Sequence, residues 1–169
     1  MLALPEDRGH RVELVDGALV VSPTLGTRHQ RVLRRLLSAF DTDTPADYEP
    51  LWGVNVVLSG PRLLVPDLAV VTEPGADVVC FPGDQVLLTV EVASPSTRVY
   101  DLTLKRELYT EAGIPHFLFA DPGSRPQPPV IVAFDLRGGS YREVGRSRDG
   151  RLRVERPFPL ALDLAERRQ

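Results

Sequence analysis

A chain of 169 residues with 43% hydrophobic content can bury one substantial core and is short for two, so a single domain over residues 1–169 is expected. The formal charge of −3 argues against a protein that holds nucleic acid chiefly by a basic surface, because such affinity comes from neutralising phosphates; an enzyme whose metal ion supplies positive charge locally stays open. Cys80 stands alone, which excludes an internal disulfide, and Glu6, Asp7 and Arg8 precede any apolar run of signal-peptide length, so a soluble cytoplasmic protein with no membrane partner is expected.

In chain order, RVELVDGALVVSP predicts two short strands around Asp16-Gly17, a dipeptide suited to a type I′ hairpin turn, with Glu13 projecting from an otherwise apolar stretch. Thr24 or Thr27 is placed to cap a helix in which Val32, Leu33, Leu36, Leu37 and Phe40 recur at i, i+3, i+4 spacing. Arg28, Arg31, Arg34 and Arg35 fill its other faces, either as a solvated surface or as an edge that touches phosphate. After the acidic stretch DTDTPADYE, WGVNVVLSG reads as a strand with Trp52 in the core, and Gly60-Pro61 marks a turn into RLLVPDLAVV, a second strand. VLLTVEVAS is a third, apolar enough to be covered on both faces, as parallel strands are.

RVYDLTLKRELYTEAG then predicts a helix closed by Gly113 at its C′ position, and IPHFLFAD the strand that completes a βαβ crossover. PPVIVAFDL and SYREVGR form a hairpin through Gly138-Gly139, and PFPLALDL ends the chain as an irregular segment or short strand. Residues 137–169 carry nine arginines against five acids. Cys80 is expected to be a small packed hydrophobe.

Two carboxylates stand where carboxylates are costly. Asp67 follows Pro66 in an apolar strand sequence and Glu91 interrupts another. Buried acids need backbone donors, a basic side chain or a metal ion. Mg²⁺, with Mn²⁺ as its substitute, suits such a pair because it is content with one or two carboxylates plus water and phosphate; salt bridges to arginine are the plainer alternative. Lys105 is the one lysine among twenty basic residues. With Asp101 and Tyr109 it falls at i, i+4, i+8 on one helix face, either as an ordinary surface pair with Asp101 or as a compact ammonium that arginine could not replace. His29 either packs against the hairpin or touches phosphate and delivers a proton. Ser94 and Ser96 read as a turn-and-cap sequence rather than as nucleophiles.

The order ELVDG, PTLGTRHQ, VPDLAVV and VEVASPSTRVYDLTLKRELYTEAGIPHFLF resembles the Uma-two family of nuclease-like proteins in the PD-(D/E)XK superfamily, over roughly residues 11–121. The resemblance implies a restriction-endonuclease-like α/β fold, a mixed β-sheet core flanked by helices, with metal-dependent cleavage of phosphodiester bonds. It implies Asp67 and Glu91 as the catalytic acids, the Val92 backbone carbonyl as a further metal ligand, and Glu13 either as an acid that completes the metal shell or as the partner of an arginine on the surface. The superfamily's usual lysine would fall at Ala93, so Lys105 on the next helix inherits that role. Arg28, His29, Asp101 and Tyr109 are then supporting or phosphate-contacting residues.

Three functions remain open on this reading. The first is a Mg²⁺-dependent endonuclease acting on nucleic acid, with DNA the expected polymer. The second is a non-catalytic nuclease-fold domain that binds or dimerises, and the third a hydrolase of a smaller phosphoester such as a nucleotide. A homodimer is expected from the usual symmetry of soluble assemblies.

Overall fold

The computed structural model describes residues 11–22, 25–94, 98–124 and 126–165. The opening hairpin pairs β1 (Arg11–Val15) with β2 (Ala18–Ser22), and its turn residues Asp16 and Gly17 take φ values of 49° and 85°, as a type I′ turn requires. Helix α1 (Thr27–Asp43) buries His29, Val32, Leu36 and Phe40 on one stripe. Its N-cap is Gly26, with no side-chain cap, so Thr27 opens the helix instead of capping it. Thr24, Ser96 and the charges Glu6, Asp7 and Arg8 lie outside the described residues.

Two of the expected strands are each split. The run beginning at Trp52 divides into β3 (Glu49–Trp52) and β4 (Asn55–Leu58) at Gly53, whose φ of 63° turns the chain out of the extended conformation. The run 62–71 divides into β5 (Arg62–Leu64) and β6 (Leu68–Val71), because Pro66 offers no ladder donor and the chain passes there from one sheet to another. Asp67 therefore stands at the entry to β6 and not inside a strand. Trp52 is 67% exposed at the end of β3, on the edge of its sheet, which corrects its placement in the core. Cys80, on the short edge strand β7 (Cys80–Pro82), is half-buried.

Strand β8 (Val86–Val92) is followed by a helical run over 98–111 and by β9 (His116–Asp121), which lies parallel to β8 and completes the crossover. The helical run opens as α2 (Arg98–Tyr100), widens into a π-helical segment (Asp101–Lys105) and ends as α3 (Arg106–Glu111). Its C-terminus is a Schellman motif: the Gly113 amide donates to the Thr110 carbonyl and the Ile114 amide to that of Tyr109, with Gly113 at φ 73°. The hairpin of β10 (Val130–Arg137) and β11 (Ser140–Arg146) turns through Gly138 and Gly139, and β12 (Arg151–Val154) pairs with β13 (Leu160–Asp163).

The main sheet runs β11-β10-β9-β8-β6-β3 and the second β2-β1-β5-β4-β7. Alternation sorts the main sheet's side chains between two cores. Leu68, Val70, Val90, Leu118 and Ala120 face α1 and the β12–β13 hairpin, meeting Leu36, Phe40, Leu160 and Leu162. Ala69, Val71, Phe117, Phe119 and Phe134 face the second sheet and the 98–111 run, meeting Val15, Val56, Leu64, Leu108 and Tyr109. Coverage of both faces explains why β8 and β9 read as nearly continuous apolar runs, each such side chain contributing about 1.5–3 kcal/mol on burial. Among the described residues no helix is long and apolar enough to cross a membrane.

Candidate active site

Asp67 sits at the seam between the sheets. The antiparallel register of β6 with β8 begins with Leu68 opposite Val90, so Asp67, just before it, lies at the end of the ladder beside Glu91 and Val92. The Asp67 carboxylate is enclosed by donors: Arg11 donates to Oδ1, while Oδ2 accepts the Val92 amide at 2.7 Å and meets His29 Nε2 at 3.1 Å. An extended residue points its N–H and C=O to the same side, so the Val92 carbonyl points to the same edge of β8 as the amide that donates to Asp67.

Glu91 lies on the same face as Ala93 and Thr89, toward the 98–111 run. Its Oε1 accepts from Tyr109 Oη at 2.6 Å and from Lys105 Nζ at 3.1 Å. The same ammonium lies 2.8 Å from Glu13 Oε1, which also accepts the Val65 amide, and 3.9 Å from Asp101. Glu13, Asp67, Glu91 and Lys105 are each 2% exposed or less. Asp101 is buried as well, which overturns the solvated Asp101–Lys105 pair as a reading of this helix. Both residues lie in the π-helical segment, and such turns concentrate at functional positions.

Burial alone would push all these charges toward neutrality, and their partners decide the outcome. For Lys105 burial works downward, but the carboxylates of Glu91, Glu13 and Asp101 outweigh it and hold the ammonium above the ordinary lysine value. Burial raises Glu91 to about 8, with the Asp67 and Asp101 charges adding to the effect and Lys105 opposing it. Burial also works to raise Asp67, yet the hydrogen bond from His29 and the charge of Arg11 bring it down to about 2. Tyr109, wholly buried and bonded to a carboxylate, stays neutral.

Arg28 falls outside this cluster. Its Nε donates to the Pro122 carbonyl at 3.1 Å, on the wall of a neighbouring cleft of about 600 Å³ also lined by His29, Ala93, Ser94 and Arg98. His29 thus joins the cleft to the acids. Two members of the cluster escaped the sequence reading. Arg11 shares its strand face with Glu13, and that i, i+2 spacing was the signal available. Tyr100 brings its ring to 5.8 Å from Lys105 Nζ. A further buried polar pair, His116 Nδ1 and Asp135 at 2.9 Å, lies on the α1 side of the sheet, facing away from these acids.

Whether the cluster fits a divalent cation turns on its donors. Glu13 Oε2 and Glu91 Oε2 are buried and have no hydrogen-bond partner among the described residues, which leaves two hard oxygens for an ion. Glu13, Asp67, Glu91 and Asp101 are buried around the cations Lys105 and Arg11, a set of oxygen groups that suits a hard ion. Among the described residues no three acidic, histidine or cysteine side chains form a ready-made metal cage. Mg²⁺ does not need one, because it keeps much of its water. The residues fit, with Asp67 already engaged by Arg11.

The architecture is that of a restriction-endonuclease-like α/β nuclease fold, a mixed sheet flanked by helices with an N-terminal β-hairpin. Residues 1–166 match the model of the Uma2 family, described as "Putative restriction endonuclease", and the chain belongs to that family. A similar solved structure is that of "a putative nuclease belonging to DUF820" from Anabaena variabilis ATCC 29413, with a TM-score of 0.70 at 17% identity, covering 92% of this chain and 86% of that one. At that identity the likeness speaks for the fold. No curated protein matches the chain.

Proposed function

We propose that this protein is a Mg²⁺-dependent endonuclease that hydrolyses phosphodiester bonds of nucleic acid, with DNA as the polymer. The observation that carries this reading is the convergence of Glu13, Asp67 and Glu91 around Lys105 and Arg11 at the seam of two sheets, with two buried carboxylate oxygens left over. Glu91, Asp67 and the Val92 carbonyl would hold the ion, and Glu13 would add a further oxygen. Bound there, Mg²⁺, or Mn²⁺ in its place, supplies charge stabilisation at the phosphate and a more acidic bound water.

The chain's own residues divide the remaining work. Lys105, held protonated by three acids, takes up no proton; it offsets negative charge that builds on the phosphate and fixes the Glu13 and Glu91 carboxylates. Tyr109 orients Glu91 through its 2.6 Å bond, and His29 and the Val92 amide orient Asp67. Arg28 lines the cleft together with the exposed Arg98, which pairs with Asp121 at 2.8 Å, and Arg28 would offer positive charge to the polymer's phosphates. The proposed oligomer is a homodimer, the commonest closed assembly, which sedimentation would test.

Incubating the protein and Mg²⁺ with duplex DNA, single-stranded DNA, RNA and nucleotides tests the reading. The expected outcome is cleavage of a DNA polymer that EDTA stops and Asp67→Asn removes. A protein that cuts none of these substrates, or cuts equally well in EDTA, contradicts it.

A further inference from the structure

Arg11 differs in exposure from the acids it faces and from Lys105. The Asp67, Glu91, Glu13 and Lys105 side chains are 2% exposed or less, whereas that of Arg11 is 19% exposed and so forms the solvent side of the site. Its guanidinium donates to Asp67 and lies within electrostatic reach of both Glu91 and Glu13. Asp67 keeps two polar partners without it, because the Val92 amide and His29 serve Oδ2, while Arg11 serves Oδ1. What Arg11 adds is positive charge beside Asp67 and within electrostatic reach of Glu91 and Glu13.

We propose that Arg11 is a further residue of this site: its guanidinium stands in for the divalent cation among Asp67, Glu91 and Glu13, and it must leave Asp67 when the ion enters. The inference rests on the metal-dependent reading above. The exchange follows from electrostatics: an ion held by Asp67 and Glu91 would repel a guanidinium at hydrogen-bond distance from the same carboxylate, at low effective dielectric. Arg11 therefore sets the affinity for metal, by competition, and keeps the buried acids compensated while no ion is bound.

Calorimetric titration of Mn²⁺ into the wild-type protein and into Arg11→Gln tests this without any substrate. Arg11→Gln is expected to bind Mn²⁺ about tenfold more tightly or better, the effect of removing a competing charge a few ångströms away. It should also melt at lower temperature in EDTA and recover more than the wild type when Mn²⁺ is added. Equal or weaker binding by the variant overturns the Arg11 inference and leaves the metal reading standing. No binding to either protein overturns both.

A second measurement needs no destabilised variant. In arginine-labelled wild type, the Arg11 Nε–H signal, identified by its loss in Arg11→Lys, should shift saturably as Mg²⁺ is added. Metal binding that leaves this signal unmoved rules the exchange out.

Discussion

Lys105 Nζ and Glu13 Oε1 meet at 2.8 Å, joining the π turn of the 98–111 helical run to the first strand of the chain. Both groups are buried, and the same ammonium serves Glu91, so the pair is one limb of a network and not an isolated bridge. Removing one partner strands charge in the interior, at a cost of about 3–5 kcal/mol. Lys105→Ala should therefore lose about that much stability in chemical denaturation, whereas a solvated Asp101–Lys105 pair would have cost a few tenths. A loss below about 1 kcal/mol would contradict the buried network.

Asp67→Asn separates binding from folding. The amide can still accept from the Val92 amide, but it removes the negative charge that faces Arg11 and would face an ion. The expected result is a folded protein with Mn²⁺ affinity lowered about tenfold or more and cleavage lost, read by calorimetry beside circular dichroism. Unchanged affinity would remove Asp67 from the metal site.

The pH dependence of stability follows from Glu91. Its pKa rises from 4.5 to about 8 on folding, so between those values the native state holds a proton that the unfolded chain has released. The contribution is complete below about 4.5, and it is lost as pH rises through 8, at up to about 1.4 kcal/mol per pH unit for one proton. Asp67, lowered from 3.8 to about 2, acts in the opposite sense: its contribution is present above 3.8 and lost as pH falls through 2. Denaturation in EDTA across pH 5–8 should thus show falling stability in the wild type and a flatter profile in Glu91→Gln. Parallel profiles would mean that Glu91 is already ionised in the native protein.

The parts of this molecule that local chemistry governs could be read from the sequence. Asp16-Gly17 forced the first hairpin, Gly113 ended the helical run, and a carboxylate within VLLTVEV marked Glu91 as exceptional. The division of residues 62–71 between two sheets could not be read that way, because apolar alternation does not say which sheet a strand joins. Nor could the π turn, since it differs from the α pattern by one residue per turn while leaving Asp101 and Lys105 four apart. Nothing local in the sequence sets Arg11 apart; β1 lies beside β5, and Arg11 reaches Asp67 from there. Trp52 was misjudged because aromatic residues are usually buried, whereas it ends an edge strand in solvent.

The lysine assignment gives the last test. Arg in place of Lys105 keeps the charge but must fit a larger, planar cation among Glu13, Glu91 and Tyr109, all of them fully buried. Overpacking of this kind costs about 1–3 kcal/mol, so Lys105→Arg should fold with reduced stability and retain Mn²⁺ binding. Because the guanidinium cannot place a compact charge where the ammonium stands, cleavage should fall by about 10²-fold or more, the scale for losing a positioned electrostatic group. Assaying both variants on the substrate found in the polymer screen, at saturating metal, separates this from a loss of metal affinity. If Lys105→Ala, once folded, cleaves at the wild-type rate, the catalytic cation lies elsewhere, and Arg11, already in contact with Asp67, is the first residue to substitute next.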